Sequence, residues 1–168
     1  EFVPLVKQFK YSSGQFLHLA IDPLYDGVGQ WPESRCFSIQ TSPNSDSIKI
    51  TYSIVGSFTQ QMATLLKCGM VVWLKMPYGN LFDDSKPKEN CVFIAGGTGI
   101  TPFLSLFTSE AFKDYHDARI YLGFKNQSHN IYNKELSEVK VMNPTSRTTI
   151  YYEDQVGMLN VNEIHAEQ

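Results

Sequence analysis

The stretch Cys91-Val92-Phe93-Ile94-Ala95-Gly96-Gly97-Thr98-Gly99-Ile100-Thr101-Pro102-Phe103-Leu104-Ser105-Leu106-Phe107 constrains this chain more than any other. An apolar run with β-branched members reads as a buried strand and the glycines as a turn. Pro102 then opens an apolar run whose spacing, at Phe103, Leu106 and Phe107, suits a helix. Strand, tight turn and helix in that order point the first amide hydrogens of the helix, and the positive end of its dipole, at whatever fills the turn. Gly97 and Gly99 leave the backbone bare, so a ligand can come close to it. A phosphate is the natural occupant. The spacing Gly-x-Gly-x-x-Pro puts a proline at the first helical position, where the dinucleotide fingerprint carries its third glycine. A glycine turn of this kind is also met as a plain sharp bend, so the surrounding chain decides its meaning.

A chain of 168 residues, 42% of them hydrophobic, is long enough for one domain or two small ones with a sizeable core. Its net charge of −3 and pI near 5.8 come without any cluster of Lys and Arg, which argues against a nucleic-acid partner. No apolar run reaches the roughly twenty residues that cross a bilayer, and the N-terminus lacks a basic segment leading into an apolar one, so a cytoplasmic protein is expected. Cys36, Cys68 and Cys91 are odd in number and far apart, as are His18, His116, His129 and His165. That spacing fits neither a disulfide framework nor a metal site, and the thiols are expected to be small buried hydrophobes.

Residues 1–84 carry the punctuation of an all-β domain. Strands are predicted over residues 2–9, 15–21, 36–40, 47–54 and 70–76, with loops at residues 12–14, 23–32 and 42–46. Ile48, Ile50, Tyr52 and Ile54 alternate with the period of a half-buried strand. One helix interrupts the pattern: Ser57 suits its N-cap, Thr59 lies in its first turn, and Phe58, Met62, Leu65 and Leu66 share one face. Around Asp83 the texture turns polar and proline-bearing, as at a domain boundary. Residues 85–168 then alternate: strand 92–95, helix 102–112, strand 119–124, helix 132–139, strand 148–152. Such alternation predicts parallel strands with right-handed crossovers.

Arg35-Cys36-Phe37-Ser38-Ile39 offers a guanidinium, an aromatic ring and a hydroxyl within one short strand, read here as lining a single surface. A flavin dinucleotide needs that set: a bidentate donor for its pyrophosphate, a flat ring for its own rings, and a hydroxyl for its polar edge. Three motifs in this order resemble those of the ferredoxin:NADP reductase superfamily of two-domain flavoproteins. Arg35, Phe37 and Ser38 match its Arg-x-Tyr/Phe-Ser/Thr motif, and Gly56 and Thr59 its Gly-x-x-Ser/Thr motif. Gly96, Gly97, Gly99, Thr101 and Pro102, with Thr98 between them, match Gly-Gly-x-Gly-x-Thr-Pro. Residues 76–82 are similar to its Gly-Pro-x-Gly-x-Phe segment, with Met76 where the first glycine stands.

The resemblance implies an antiparallel FAD-binding β-barrel, residues 1–84, followed by an α/β parallel-sheet domain for NADH or NADPH, residues 85–168. It implies that Arg35 and the Gly56-Ser57-Phe58-Thr59 turn meet the FAD pyrophosphate. Phe37 would pack on the flavin, Ser38 would sit near its reactive nitrogen as the catalytic residue, and the second glycine turn would hold the nicotinamide dinucleotide. No acidic residue follows strand 119–124 and Lys125 stands there alone; the Phe124-Lys125-Asn126-Gln127 string looks more like NADH-using members. The function implied is an oxidoreductase carrying electrons from NAD(P)H through FAD to an acceptor protein, domain or small molecule. The alternative is a non-catalytic flavin- or nucleotide-binding module for regulation or docking. The resemblance also implies a chain incomplete at both ends, since the family continues into a further strand that shapes the nicotinamide pocket.

Overall fold

A computed structural model of the chain describes residues 1–5, 9–83 and 85–166, leaving aside the side chains of residues 165 and 166. Its first half is built on an antiparallel sheet of β1 (Phe16–Ala20), β2 (Ser34–Ser38) and β3 (Trp73–Tyr78), ordered β2-β1-β3. In the middle strand Leu17 lies opposite Phe37, His18 opposite Cys36 and Leu19 opposite Arg35; on its other side His18 faces Lys75 and Leu19 faces Leu74. Strand alternation turns Leu17 and Leu19 fully inward. Helix α1 (Ser57–Leu65) lays Phe58 and Met62, one turn apart, on the same core.

The second half is a parallel sheet of β4 (Val92–Gly96), β5 (Arg119–Phe124) and β6 (Arg147–Tyr152), ordered β4-β5-β6. A parallel neighbour must be reached by a crossover. Helix α2 (Thr101–Phe107) with a following 3-10 turn makes the first crossover and α3 (Asn133–Met142) the second. The central strand β5 is paired on both sides, so Ile120, Tyr121, Leu122 and Phe124 are all buried instead of alternating. Two short helices, α4 (Glu153–Val156) and α5 (Val161–Ala166), close the described chain. Phe93 on β4 is the hub of this core: Phe103, Phe107, Phe112, Tyr115 and Phe82 place their rings 5.1–6.4 Å from it, mostly edge to face.

Several expectations need correction. Ile48, Ile50 and Tyr52 turn toward the core, yet residues 47–54 form no strand. Ile48 exchanges two backbone bonds with Phe2, Lys49 O accepts from Gln40 N at 2.9 Å, and the ladder goes no further among the described residues. Periodicity orders side chains, but a strand also needs a partner in register over successive pairs. Of the strand expected over residues 2–9, residues 6–8 lie outside the described residues. The helix expected over residues 102–112 stops at Phe107, where the Thr108 and Ser109 hydroxyls bond back to Leu104 O and Leu106 O; such back-bonding competes with helix continuation. A 3-10 turn over Glu110–Asp114 follows. Met76 needs no glycine-like angle: it lies within β3, and the left-handed residue of that segment is Gly79, φ 86°.

Among the described residues, polar ties centred on Ser105 and Glu135 and the ring of Phe82 join the halves. Ser105 on α2 is fully buried; its hydroxyl accepts the Gly14 N–H at 2.8 Å and donates to Pro102 O at 2.9 Å. Its carbonyl accepts the Ser13 hydroxyl at 3.0 Å. Gly14 has φ 80°, and a Cβ there would come within 2.7 Å of the Phe82 ring. The second tie is Glu135 on α3, whose carboxylate accepts from Lys49 Nζ at 2.6 Å and Gln40 Nε2 at 2.9 Å. Burial pushes the Glu135 carboxyl up, but the bonds from Lys49 and Gln40 outweigh it and hold the group below its ordinary 4.5.

Ser105→Ala leaves the Gly14 N–H without its buried acceptor and should lower stability by about 1–3 kcal/mol. A urea midpoint equal to that of the unaltered chain would show that the tie carries no weight. Because the Glu135 pKa is lowered on folding, its contribution is complete above 4.5 and is lost as pH falls through the folded value. Urea midpoints of the unaltered chain and Glu135→Gln, followed from about pH 7 to about pH 3, should therefore converge as acid is added. A gap that stays constant over that range would contradict the assignment.

Candidate functional site

The glycine turn lies at the carboxyl end of β4. Gly96 is extended, φ −122° and ψ 137°, and Gly97 opens a 3-10 turn, Gly97–Ile100, with φ 52°. Gly96, Gly97, Thr98 and Gly99 are exposed, while Ala95, Ile100 and Thr101 on either side are buried. The turn is thus a strip of bare backbone fixed at both ends. Its glycines are needed for different reasons. Gly97 takes a left-handed angle that side chains resist. Gly99 has no such angle, and a Cβ there would meet nothing within 4 Å, so the fold by itself leaves that position open to other residues. What glycine preserves at 99 is empty space in front of the backbone. The Thr101 hydroxyl closes the turn by donating to Thr98 O at 2.9 Å. Pro102 stands in the first turn of α2, where its missing N–H forfeits no bond.

In register with Gly96 comes Gly123 on β5, and beside that Tyr151 on β6, so the turn borders the carboxyl ends of three parallel strands, where sheets of this kind take their ligands. A Cβ on Gly123 would lie 3.2 Å from Leu159, which folds over this edge. In the loop leaving β5, the Asn126 carboxamide oxygen is occupied by the Ser128 hydroxyl at 2.7 Å and the His129 ring at 2.7 Å.

On β2, Arg35 and Phe37 share the face of Leu19 and Leu17, whereas Cys36 and Ser38 share the face of His18 and Phe16. The single surface expected for Arg35, Phe37 and Ser38 is corrected here: with a period of two, neighbours 37 and 38 point oppositely. The Arg35 guanidinium lies 5.1 Å over the ring of Phe58, donates to Ser34 O at 2.9 Å and pairs with Glu33 at 2.7 Å. Phe58 is the second residue of α1, so Arg35 stands at the start of that helix. Gly56, not Ser57, is its N-cap, with φ −116° and ψ 176°; Ser57 is already helical and exposed. The Thr59 hydroxyl accepts the N–H groups of Gly56 and Val55 at 3.1 and 3.0 Å. A Cβ on Gly56, as on Gly99, would meet nothing within 4 Å.

The structure therefore brings Arg35 together with the start of α1, keeps Phe37 against Tyr52 at 6.0 Å, and sets Ser38 beside Phe16, which stacks on Tyr78 at 5.8 Å. The aromatic seat of Arg35 was not singled out in the sequence, because Phe58 reads there as one more apolar residue of a helix face. Two clefts of about 280 and 270 Å³ lie on the seam between the halves, and neither is lined by Arg35, Phe37 or the glycine turn. The candidate phosphate sites are open rims, with Gly56, Ser57 and residues 96–99 exposed. Among the described residues no helix is long and apolar enough to cross a membrane and no group of three or more metal-ligating side chains forms. The thiols depart from expectation: Cys36 and Cys68 are exposed and Cys91 is partly so.

Residues 93–160 match a family model described as the oxidoreductase NAD-binding domain. The chain is 35% identical, over 60% of its length, to a probable electron transfer subunit of dihydroorotate dehydrogenase B (NAD(+)) from Methanopyrus kandleri. It is 29% identical, over 81% of its length, to the reductase component of a phenol 2-monooxygenase from Pseudomonas. It spans 34% and 37% of those two proteins. In fold it resembles a ferredoxin-NADP+ reductase from Plasmodium falciparum solved with 2'P-AMP, at a TM-score of 0.73 and 23% identity, covering 95% of this chain and 67% of that one.

Proposed function

We propose that this chain, which belongs to the ferredoxin:NADP reductase superfamily, is the FAD- and nicotinamide-binding part of an oxidoreductase that carries electrons from NADH or NADPH to a protein or small-molecule acceptor. One observation carries the reading. Two glycine-bearing helix starts, residues 56–59 beside Arg35 and residues 96–102 after β4, each keep an open position, Gly56 and Gly99, that the fold does not fill. Room held in front of bare amide groups suits phosphate, and two such places suit two dinucleotides.

The first place would hold FAD. Arg35, already at the start of α1, would exchange its partner Glu33 for the pyrophosphate, with the free amides of the helix start facing the same group. Phe37 would pack against the flavin, and Ser38, turned to the other face at the very end of β2, would reach the polar edge of the ring with its hydroxyl. Bound flavin supplies the capacity to take up a hydride and release electrons singly or in pairs. Gly96, Gly97, Thr98 and Gly99 would receive the phosphates of the nicotinamide dinucleotide, with Thr101 and Pro102 fixing the turn behind them. Lys125 as the lone cation after β5 favours NADH, since a 2′-phosphate is better held by arginine. We divide the chain at residues 84 and 85 into the two binding units. The three free thiols favour a reducing setting, the cytoplasm.

Mixing the purified protein with NADH in the absence of oxygen should bleach the flavin absorbance; persistent absorbance would favour a binding module without catalysis. Arg35→Ala should weaken FAD binding by about 1.5–3 kcal/mol, the scale of a hydrogen bond to a charged group, as read by flavin titration. Equal dissociation constants would remove Arg35 from the site. Gly99→Val should leave FAD content intact and change stability by less than about 0.5 kcal/mol, because a Cβ at this exposed position meets nothing within 4 Å. Reduction of the flavin by NADH should nevertheless fail, and an undiminished rate would refute the assignment of the turn.

A further inference from the structure

We propose that Cys36 is a reactive thiol, a site of covalent modification by peroxide and other soft electrophiles, with the His18 imidazole as the base that activates it. The three free cysteines occupy three different settings. Cys91 is partly buried, donates to Pro87 O at 3.5 Å, and has its thiol pushed up by burial. Cys68 is exposed and has no hydrogen-bond partner among the described residues. Cys36 is equally open to solvent, but its Sγ lies 3.5 Å from His18 Nε2 and 3.7 Å from Nδ1. Whichever ring nitrogen is unprotonated is within reach of the thiol proton.

The pair is set by the sheet. His18 and Cys36 are the middle residues of their strands and stand directly opposite in the β1–β2 ladder, which puts both side chains on one face. Tyr78 meets the imidazole edge-on at 5.2 Å and Phe16 lies 6.1 Å away, so the ring is walled in beside the sulfur. Lys75, the partner of His18 on the other side, adds a cation to the same face, its Nζ 5.9 Å from the Trp31 ring. Nucleophile and base thus stand side by side on adjacent strands, with Lys75 in register on the third, and the thiol is open to solvent as reacting cysteines are. Arg35 and Phe37 point to the opposite face, whereas Ser38, proposed above to meet the flavin edge, shares the face of Cys36 two residues on.

With a peroxide, an S–O bond forms as the O–O bond breaks. The thiol proton passes to His18 and from there to the departing hydroxide, which leaves as water. Sulfur gives up two electrons, the peroxide takes them, and Cys36 becomes a sulfenic acid.

Limiting iodoacetamide added to the folded chain at neutral pH, followed by peptide mass spectrometry, should alkylate Cys36 at least about fivefold faster than Cys68, the exposed control within the same molecule. In urea that ratio should collapse toward one, because the pairing with His18 exists only in the sheet. His18→Gln, with its fold checked by circular dichroism, should lower the Cys36 rate toward that of Cys68. Hydrogen peroxide with dimedone should place the adduct on Cys36. A native ratio below about fivefold, a ratio that persists in urea, an unchanged Cys36 rate in folded His18→Gln, or dimedone failing to mark Cys36 would each overturn the proposal.

Discussion

The buried hydroxyl of Ser105 is the point on which the arrangement of the two sheets depends. It sits on the helix that follows the glycine turn, and it receives the N–H of Gly14 from the turn that leads into the central strand of the other sheet. A serine without solvent access must find its partners inside the protein, so this contact cannot be exchanged for water without cost. Phe82, lodged against Phe93 and Phe103 and filling the space beside Gly14, packs the same joint with apolar surface. Glu135, Lys49 and Gln40 fix the seam at a second place. With two separated ties and a ring between them, the strand carrying Arg35 and the turn carrying Gly99 are held as parts of one body. The hydride transfer proposed above would need that, since reacting atoms must be kept within about 3–3.5 Å.

Gly56 and Gly99 differ in kind from the glycines that the fold itself requires. A glycine required by the fold betrays itself through a left-handed angle or a crowded Cβ: Gly97 has the first, and Gly14 and Gly79 have both. Gly56 and Gly99 have neither. At each, the main chain runs open to solvent at the start of a helix whose first amides lack partners within the helix. The economy of the fold gives no account of them; the close approach of a phosphate proposed above would.

Where the sequence misled, the cause is geometric in each case. Arg35, Phe37 and Ser38 satisfy the chemistry of a flavin site as a list, but consecutive residues on a strand part to opposite faces, so Ser38 joins Cys36, His18 and Phe16 instead. The cysteines read as buried because cysteine usually is; Cys36 lies on an open sheet face and Cys68 beyond the end of α1. Ile48, Ile50 and Tyr52 have the alternation of a strand, and their side chains do reach the core, yet the backbone there lacks a continuous partner.

The sequence by itself determined the alternation of strands and helices in the second half, the change from antiparallel to parallel pairing, the bounds of β5 and the three motifs in which Arg35, Gly56, Thr59 and the turn from Gly96 to Pro102 stand. These are local properties: periodicity, turn-forming residues and helix starts act over a few positions and are written along the chain. The tertiary structure alone decided that Arg35 rests on Phe58, that Ser105 holds Gly14, that Glu135 clasps Lys49 and that His18 meets Cys36. Those pairs join residues distant in sequence, and no local pattern encodes which face of one element will close on which face of another.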